Sequence, residues 1–475
     1  MNLKVEKRLQ GFIISLYILI FIANIFLGND ILLKFNIIVV AMFFMIFLMK
    51  SNKVLLITTV ILAIFNGFLI QELHFPSSIQ YSVDILTVFI FIKIIYSIFQ
   101  HKRKINNSML KYIVLIFVLQ LIALLINNYS TLPFIWGIRN LYRFFIIFVG
   151  FQYLDIELDY RNVITFFKYF IMMQLGVIIF QHFKEVDFDN ISGFFGIKGT
   201  GITLIFLMFI CSFWISNYVH KKIKISGILI FLVIIFAQFI LGSVKASFFY
   251  IPILLYIMII LSVITNGNYK VLLKKVILFS IIIVGLVMVS TTLYLKVFSD
   301  FSSAENLYSK DYLKSILVSG SYNSDGNTIN RLSGIGTIND LVLKDYAKKI
   351  IGVGLGNASP NKYESLQGDY FKKYSQLNYN WFFIPYYVLE NGFLGLGIFL
   401  LIFIIMLFKS FKIYNQVKKE EEKLLVFAYI GCVITVLLTL IYNSALYTVQ
   451  IGYFFWAISG LLIKFENKYK YVKSV

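Results

Sequence analysis

Two of the six arginines in the 475 residues, Arg139 and Arg143, stand one helical turn apart in PFIWGIRNLYRFF. That spacing puts both guanidinium groups on one helix face, and two like charges entering an apolar medium call for an anion. The anion is either a carboxylate of the chain, with Asp84 and Glu390 as candidates, or a ligand that takes the planar fork of arginine. Lys245 sits in FILGSVKASFF between Ser243 and Ser247, and an ammonium flanked by hydroxyls suits a phosphate as well as a plain turn. Arg331, in TINRLSG, opens a candidate helix. In IIGVGLGNASP, residues 350–360, Gly352, Gly354 and Gly356 read as a tight turn whose amides approach an anion or a sugar. They are not a dinucleotide fingerprint, since no βαβ unit surrounds them. For a reaction that needs a base, Glu390, Asp325 and Asp340 are the available carboxylates.

The elements that must hold these groups follow from composition. The chain is 59% hydrophobic and 14% charged, with a mean hydropathy of +0.83. Soluble domains are about 25% charged, so an ordinary soluble enzyme is excluded, and disorder needs the opposite composition. The long unbroken apolar runs argue against a membrane β-barrel, whose strands alternate. The expected fold is an all-α polytopic membrane protein. Runs of about 20 apolar residues occur near 11–27, 31–49, 54–70, 79–99, 109–126, 133–154, 162–183, 200–219, 225–242, 246–265, 273–295, 381–408, 424–442 and 447–463, fourteen in all. The run at 381–408 is long enough to begin as an interfacial helix before it crosses.

An even count puts both termini on one side. With that side inside, the short inner segments hold 24 Lys and Arg, and the short outer loops hold only Lys184, Lys198 and Lys245. The split fixes the orientation and accounts for most of the net charge of +20, so no nucleic-acid partner is implied. The organisation is then residues 1–295 with eleven spans, a large outer loop at 296–380, and residues 381–475 with three spans and an inner tail. Within the loop, 306–317 and 329–350 carry apolar residues at helical spacing, and SGSYNSDGN between them is a turn cluster. Cys211 and Cys432 lie inside apolar runs and make no metal site or disulfide framework. No metalloprotease, P-loop or nucleophile-elbow pattern occurs, and neither a metal nor a cofactor is expected.

In order along the chain, FIWGIRNLYRFF, SGFFGIKGTG, LGSVKASFF, INRLSG with IIGVGLGN, and NWFFIPYYVLENGFLGLGIF make the sequence resemble the bacterial O-antigen polymerase and ligase superfamily over about residues 130–460. The resemblance implies a GT-C-like membrane glycosyltransferase of the bacterial cytoplasmic (inner) membrane. Its substrates would be undecaprenyl-diphosphate-linked glycans. It further implies that Arg139 or Arg143, Lys245 and Arg331 hold the diphosphate, Lys245 standing where the family commonly has arginine. Glu390, in LENG, matches a carboxylate of the family, and Glu390 with Arg331 are its candidate catalytic groups. A flippase and a chain-length regulator of the same pathway are the partners implied, besides membrane lipids.

The ligase branch carries a histidine just before re-entry. Here the stretch reads SQLNYNWFF, with Asn378 and Asn380 and no histidine in 296–380, which favours a polymerase over a ligase that moves polymer to lipid A core. A flippase is the alternative of another class. It would show pseudo-symmetric halves and charge on both sides of the midplane, whereas the unexplained charge here gathers at the outer mouth. Preorganised cations in a low-dielectric mouth would stabilise a departing diphosphate without a metal.

Overall fold

The computed structural model describes residues 51–101, 109–154, 156, 158–184, 190–266, 269–297, 314 and 328–472. The expected spans at 11–27 and 31–49, the expected helix at 306–317, its following turn cluster and Asp325 lie outside the described residues. The described residues from Thr58 onward belong to one compact unit, Thr58–Val475.

In hydrocarbon each backbone N–H and C=O must find its partner within its own segment, so twenty-residue apolar runs become helices. The long helices are α1 (Asn52–Gln71), α2 (Gln80–His101), α3 (Leu110–Asn127), α4 (Thr131–Tyr153), α5 (Tyr160–Phe183), α6 (Thr200–Val219), α7 (Ile225–Leu241), α8 (Ser247–Asn266) and α9 (Tyr269–Val297). A segment of short elements follows, with α10 (Ser333–Thr337), α11 (Tyr346–Ile351) and α12 (Asp369–Tyr374). Three long helices, α13 (Phe383–Gln416), α14 (Glu420–Thr439) and α15 (Val449–Val472), close the chain. Among the described residues there is no strand, and ten helices are long and apolar enough to cross a membrane. The expected spans at 225–242 and 447–463 are also helical but stand outside that ten: α7 has only 17 residues, and α15 runs on into a polar tail.

Burial separates the centre from the rim. The apolar stretches of α6 and α14 are 83% and 78% buried, that of α9 only 17%. α6 packs along α14, and α4 along α15. Gly452 and Gly460 let α15 close on Phe144 and on the Phe148 carbonyl, where a Cβ would stand 2.4 and 2.3 Å away. Close backbone approach of this kind drives helix association where lipid removes the hydrophobic term. Trp456 fills the same seam edge-on to Phe145, ring centroids 4.8 Å apart.

The helix ends opposite the 328–382 segment are fastened by ions. α14 begins Glu420-Glu421-Glu422, acidic residues at the positive end of its dipole. Each takes a cation from a different segment: Lys222 at 2.8 Å, Arg161 at 3.1 Å and Lys468 at 2.7 Å. The Lys222 and Arg161 pairs are solvent-exposed on both sides and contribute little singly. Lys409 on α13 and Glu466 on α15 differ, because their side chains are 17% and 8% exposed at a separation of 2.6 Å. Removing one partner of a buried pair takes the countercharge from a carboxylate that is already desolvated. Lys409→Met is therefore expected to cost about 3 kcal/mol, read as a fall in melting temperature of the detergent-solubilised protein; an unchanged melting temperature would mean that Glu466 is solvated there.

The expected helix at 329–350 is broken. α10 passes into a single wide turn, Ile338–Val342, and stops at Leu343 (φ −90°, ψ 62°); helix resumes only at Tyr346. Leu343 turns inward to pack with Ile338, Val342, Val353 and Leu389, a burial that a continuous helix would not give it. Gly334 and Gly336 weaken the helix before the break.

Candidate functional site

α13 holds the centre of the site at a kink. Gly392 has φ +66° inside the helix, interrupting the i→i−4 ladder. The glycine loop lies against this break: the Val353 and Gly354 amides donate to the carbonyls of Leu389 and Glu390 at 2.9 and 3.1 Å. Gly352 has φ +79°, and a Cβ there would stand 2.4 Å from the Glu390 carbonyl oxygen. A Cβ on Gly392 would stand 2.1 Å from the carbonyl oxygen of Ile350. Both positions need glycine for conformation and for space.

The loop then turns back over the Glu390 side chain, which is 1% exposed. Its Oε1 accepts from the Gly356 amide at 3.0 Å and from the Ser359 hydroxyl at 2.8 Å. Ser359 also pairs with the Tyr386 hydroxyl at 2.7 Å. Tyr129 donates to the Leu355 carbonyl and Tyr379 to the Ala358 carbonyl, so the loop is pinned from both flanks. Burial, and secondarily the charge of Glu390, pushes both phenols well above the usual tyrosine range and keeps them donors. The expectation that the glycine amides face a ligand takes a different form here: the anion that the Gly356 amide holds is the chain's own carboxylate.

A cavity of about 250 Å³ opens beside this carboxylate. Ligand pockets run to roughly 300–1,000 Å³, so this one has room for a single ring-sized group. Its walls come from α4 (Asn140, Arg143), the glycine loop (Ser359), the approach to α13 (Asn380), α13 itself (Tyr386, Glu390) and the turn before α15 (Ser444, Tyr447, Thr448). The lining is hydroxyl- and amide-rich, with one guanidinium and one carboxylate. Two of its donors, Arg143 Nε and the Tyr447 hydroxyl, are buried and without a hydrogen-bond partner in the structure. Buried polar groups are nearly always paired, so unpaired donors on a cavity wall mark a place where a ligand can supply acceptors.

Asp84 on α2 answers both members of the arginine pair. It is in tight contact with Arg139 Nη2, accepts from Arg139 Nε at 3.1 Å, and stands 3.4 Å from Arg143 Nη1. Arg139 is spread over the Trp136 ring at 4.1 Å and near Tyr81 at 5.3 Å. One carboxylate between two guanidiniums leaves one positive charge over. The looser contact, and the position on the cavity wall, belong to Arg143.

The four expected diphosphate-binding cations are thus distributed unevenly. Arg143 lines the cavity and Arg139 adjoins it through Asp84. Arg331, 8% exposed, is held behind a neighbouring wall: its Nε donates to the Tyr442 carbonyl at 3.2 Å, and its guanidinium lies over Phe382 and Tyr442. Lys245 stands in the turn before α8, and the hydroxyls beside it are engaged elsewhere, Ser243 with Tyr294 at 3.0 Å and Ser247 with the Val244 carbonyl at 2.6 Å. Tyr250, one turn into α8, reaches Tyr442 at 5.5 Å between centroids, so α8 touches the Arg331 wall. Arg331 and Lys245 do not appear on the walls of the cavity. Asp340 is exposed, and Asn339 donates to it at 2.8 Å.

A polar relay that sequence reasoning missed crosses three helices next to the site. Tyr142 donates to Gln120 at 2.8 Å, and Gln120 donates to Asn391 at 2.7 Å. Tyr142 precedes Arg143 and Asn391 follows Glu390, so the relay ties the guanidinium-bearing helix to the carboxylate-bearing one through α3. The signal was available: a glutamine in the middle of an otherwise apolar span.

No family model, no curated protein and no solved structure matches the chain.

Proposed function

We propose that the chain is a membrane glycosyltransferase that polymerises oligosaccharide units carried on undecaprenyl diphosphate, at the outer face of the cytoplasmic membrane and without a metal. The observation that carries this reading is the cavity itself, lined by Arg143, by the buried carboxylate of Glu390 from a different helix, and by hydroxyl and amide side chains. The resemblance in motif order supports the same chemistry.

In this reading the C1–oxygen bond to the diphosphate of one lipid-linked glycan breaks, and the diphosphate leaves with its electron pair. The positive charge left over at Arg143, Arg139 and Asp84 stabilises that developing negative charge where it forms. A hydroxyl of the second glycan forms the new bond to C1, and its proton passes to Glu390. Asn380, Ser444 and Thr448 orient the sugar ring. Asn380 falls in the stretch where the ligase branch carries its histidine, which favours polymerase over ligase.

Cells lacking the gene test the reading directly. One repeat unit on the acceptor is the expected product. Unattached long polymer would mean a ligase, and lipid-linked units trapped on the inner leaflet would mean a flippase. The proposed orientation, with both termini inside and 296–380 outside, has its own test. Cys211 and Cys432 are buried and leave no background for labelling. A cysteine replacing the exposed Tyr363 is expected to react with an impermeant maleimide in intact cells stripped of outer barriers, and one replacing Lys419 only after lysis. The reverse pattern would invert the topology and move the cavity to the wrong side for this chemistry.

A further inference from the structure

The segment Leu341–Ile351 leaves an apolar and cationic surface that the proposed chemistry does not use. Leu341, Tyr346 and Ile350 are exposed, Tyr346 at 85%. Exposed aliphatic side chains on a hydrophilic segment call for a cover, and their position says which. The Ile350 carbonyl lies against Gly392, so α11 is level with the part of α13 whose Phe393 and Leu394 face outward. On the other side Asn127, the last residue of α3, donates to the Gly352 carbonyl at 3.1 Å, and the adjacent Leu125 and Ile126 are also exposed. α11 packs on α3 and α13 together. Its exposed side chains therefore continue the apolar belt of two membrane-crossing helices.

Charge completes the pattern. Lys344, Lys348 and Lys349 lie in the same stretch; Asp345 takes Lys348 at 2.6 Å, which leaves two cations over. Tyrosine with apolar neighbours and lysines beside it is the composition of a segment lying in the headgroup region of a bilayer.

We propose that Leu341–Ile351 is a membrane-surface anchor: Tyr346 and Ile350 enter the leaflet at the loop end, and Lys344 and Lys349 bind the phosphates of anionic glycerophospholipids. The anchor leads within two residues into the glycine loop over Glu390. The lipid surface thereby holds one end of the loop that covers the carboxylate. The anchor stands whether or not the chain transfers sugars.

The test uses the full chain in nanodiscs, with a nitroxide on a single introduced cysteine; the buried native cysteines stay unlabelled. In Ile350→Cys and in Tyr346→Cys, oxygen is expected to relax the label more than Ni-EDDA does, as in the lipid-facing reference Leu125→Cys. Adding phosphatidylglycerol to phosphatidylcholine is expected to deepen both labels, and Lys344→Glu with Lys349→Glu to cancel that deepening. Ni-EDDA exceeding oxygen at both positions would show a segment facing water or glycan. Protection from both reagents would show a protein partner, such as a second copy of the chain. Either result overturns the anchor, and equal depth with and without phosphatidylglycerol overturns its phosphate-binding part.

Discussion

Glu390→Gln is expected to stop polymer formation, by about 10²–10⁴-fold, in a protein that still folds. Glutamine keeps an oxygen where the Gly356 amide and the Ser359 hydroxyl donate, at 3.0 and 2.8 Å, so the loop keeps its anchor. What is lost is the capacity to take a proton from an attacking hydroxyl. Glu390→Leu separates this role from the packing role, because it strands the buried amide and hydroxyl at about 1–3 kcal/mol. The leucine variant is expected to lose activity and melting temperature together, the glutamine variant activity alone. Both are measured with purified lipid-linked repeat units and a thermal-shift assay at matched protein amounts. Wild-type turnover by Glu390→Gln would reduce Glu390 to a staple for the loop.

The arginine pair gives the second large effect, and the two members are expected to differ. Arg143 faces the cavity with an unpaired Nε and only a 3.4 Å contact to Asp84. Arg143→Met is expected to lower turnover by about 10²–10³-fold, the scale of losing one preorganised donor to a developing anion. Arg143→Lys keeps the charge without the fork and is expected to recover part of that loss. Arg139 spends its charge on Asp84 and its plane on Trp136, off the cavity wall. Arg139→Met is expected to destabilise α2 against α4 and, by leaving Asp84 to Arg143 alone, to lower turnover per folded molecule, though less than Arg143→Met does. Equal losses from both methionine variants would mean that the pair acts only as a structural ion cluster.

The long helices were legible because an apolar run long enough to cross a bilayer has one backbone solution. The Arg139–Arg143 pair and its partner Asp84 were legible for the same reason, since a charge inside such a run must be answered nearby. The break at Leu343 was not. Apolar residues at 3–4 spacing describe 329–350 whether or not the chain is continuous, and what decides is Leu343 joining a buried cluster with residues as distant in sequence as Leu389. The glycine triplet signalled a close approach without saying to what. That its target is Gly392 and the Glu390 carboxylate depends on a kink that no local residue pattern announces. Arg331 and Lys245 stand out by type, but where a lone cation sits relative to a cavity is set by helix packing over the whole unit.

Gly352 and Gly392 touch across the line where the hydrophilic segment ends and the long apolar helix begins, and this bears on how such a protein can be rebuilt. Read from hydropathy, residues 296–380 form a hydrophilic cassette with clean edges, apt for exchange between related chains. The contact crosses those edges, since the segment's backbone is hydrogen-bonded to Leu389 and Glu390, which the cassette leaves behind. A chimaera cut at residue 380 would bring a foreign loop to a helix kinked for another partner. Unless the donor also places glycine opposite the kink, a Cβ at position 352 would stand 2.4 Å from the Glu390 carbonyl oxygen. The exchangeable unit therefore runs on through residue 392, and recombination that ends sooner yields a chain whose carboxylate has no cover.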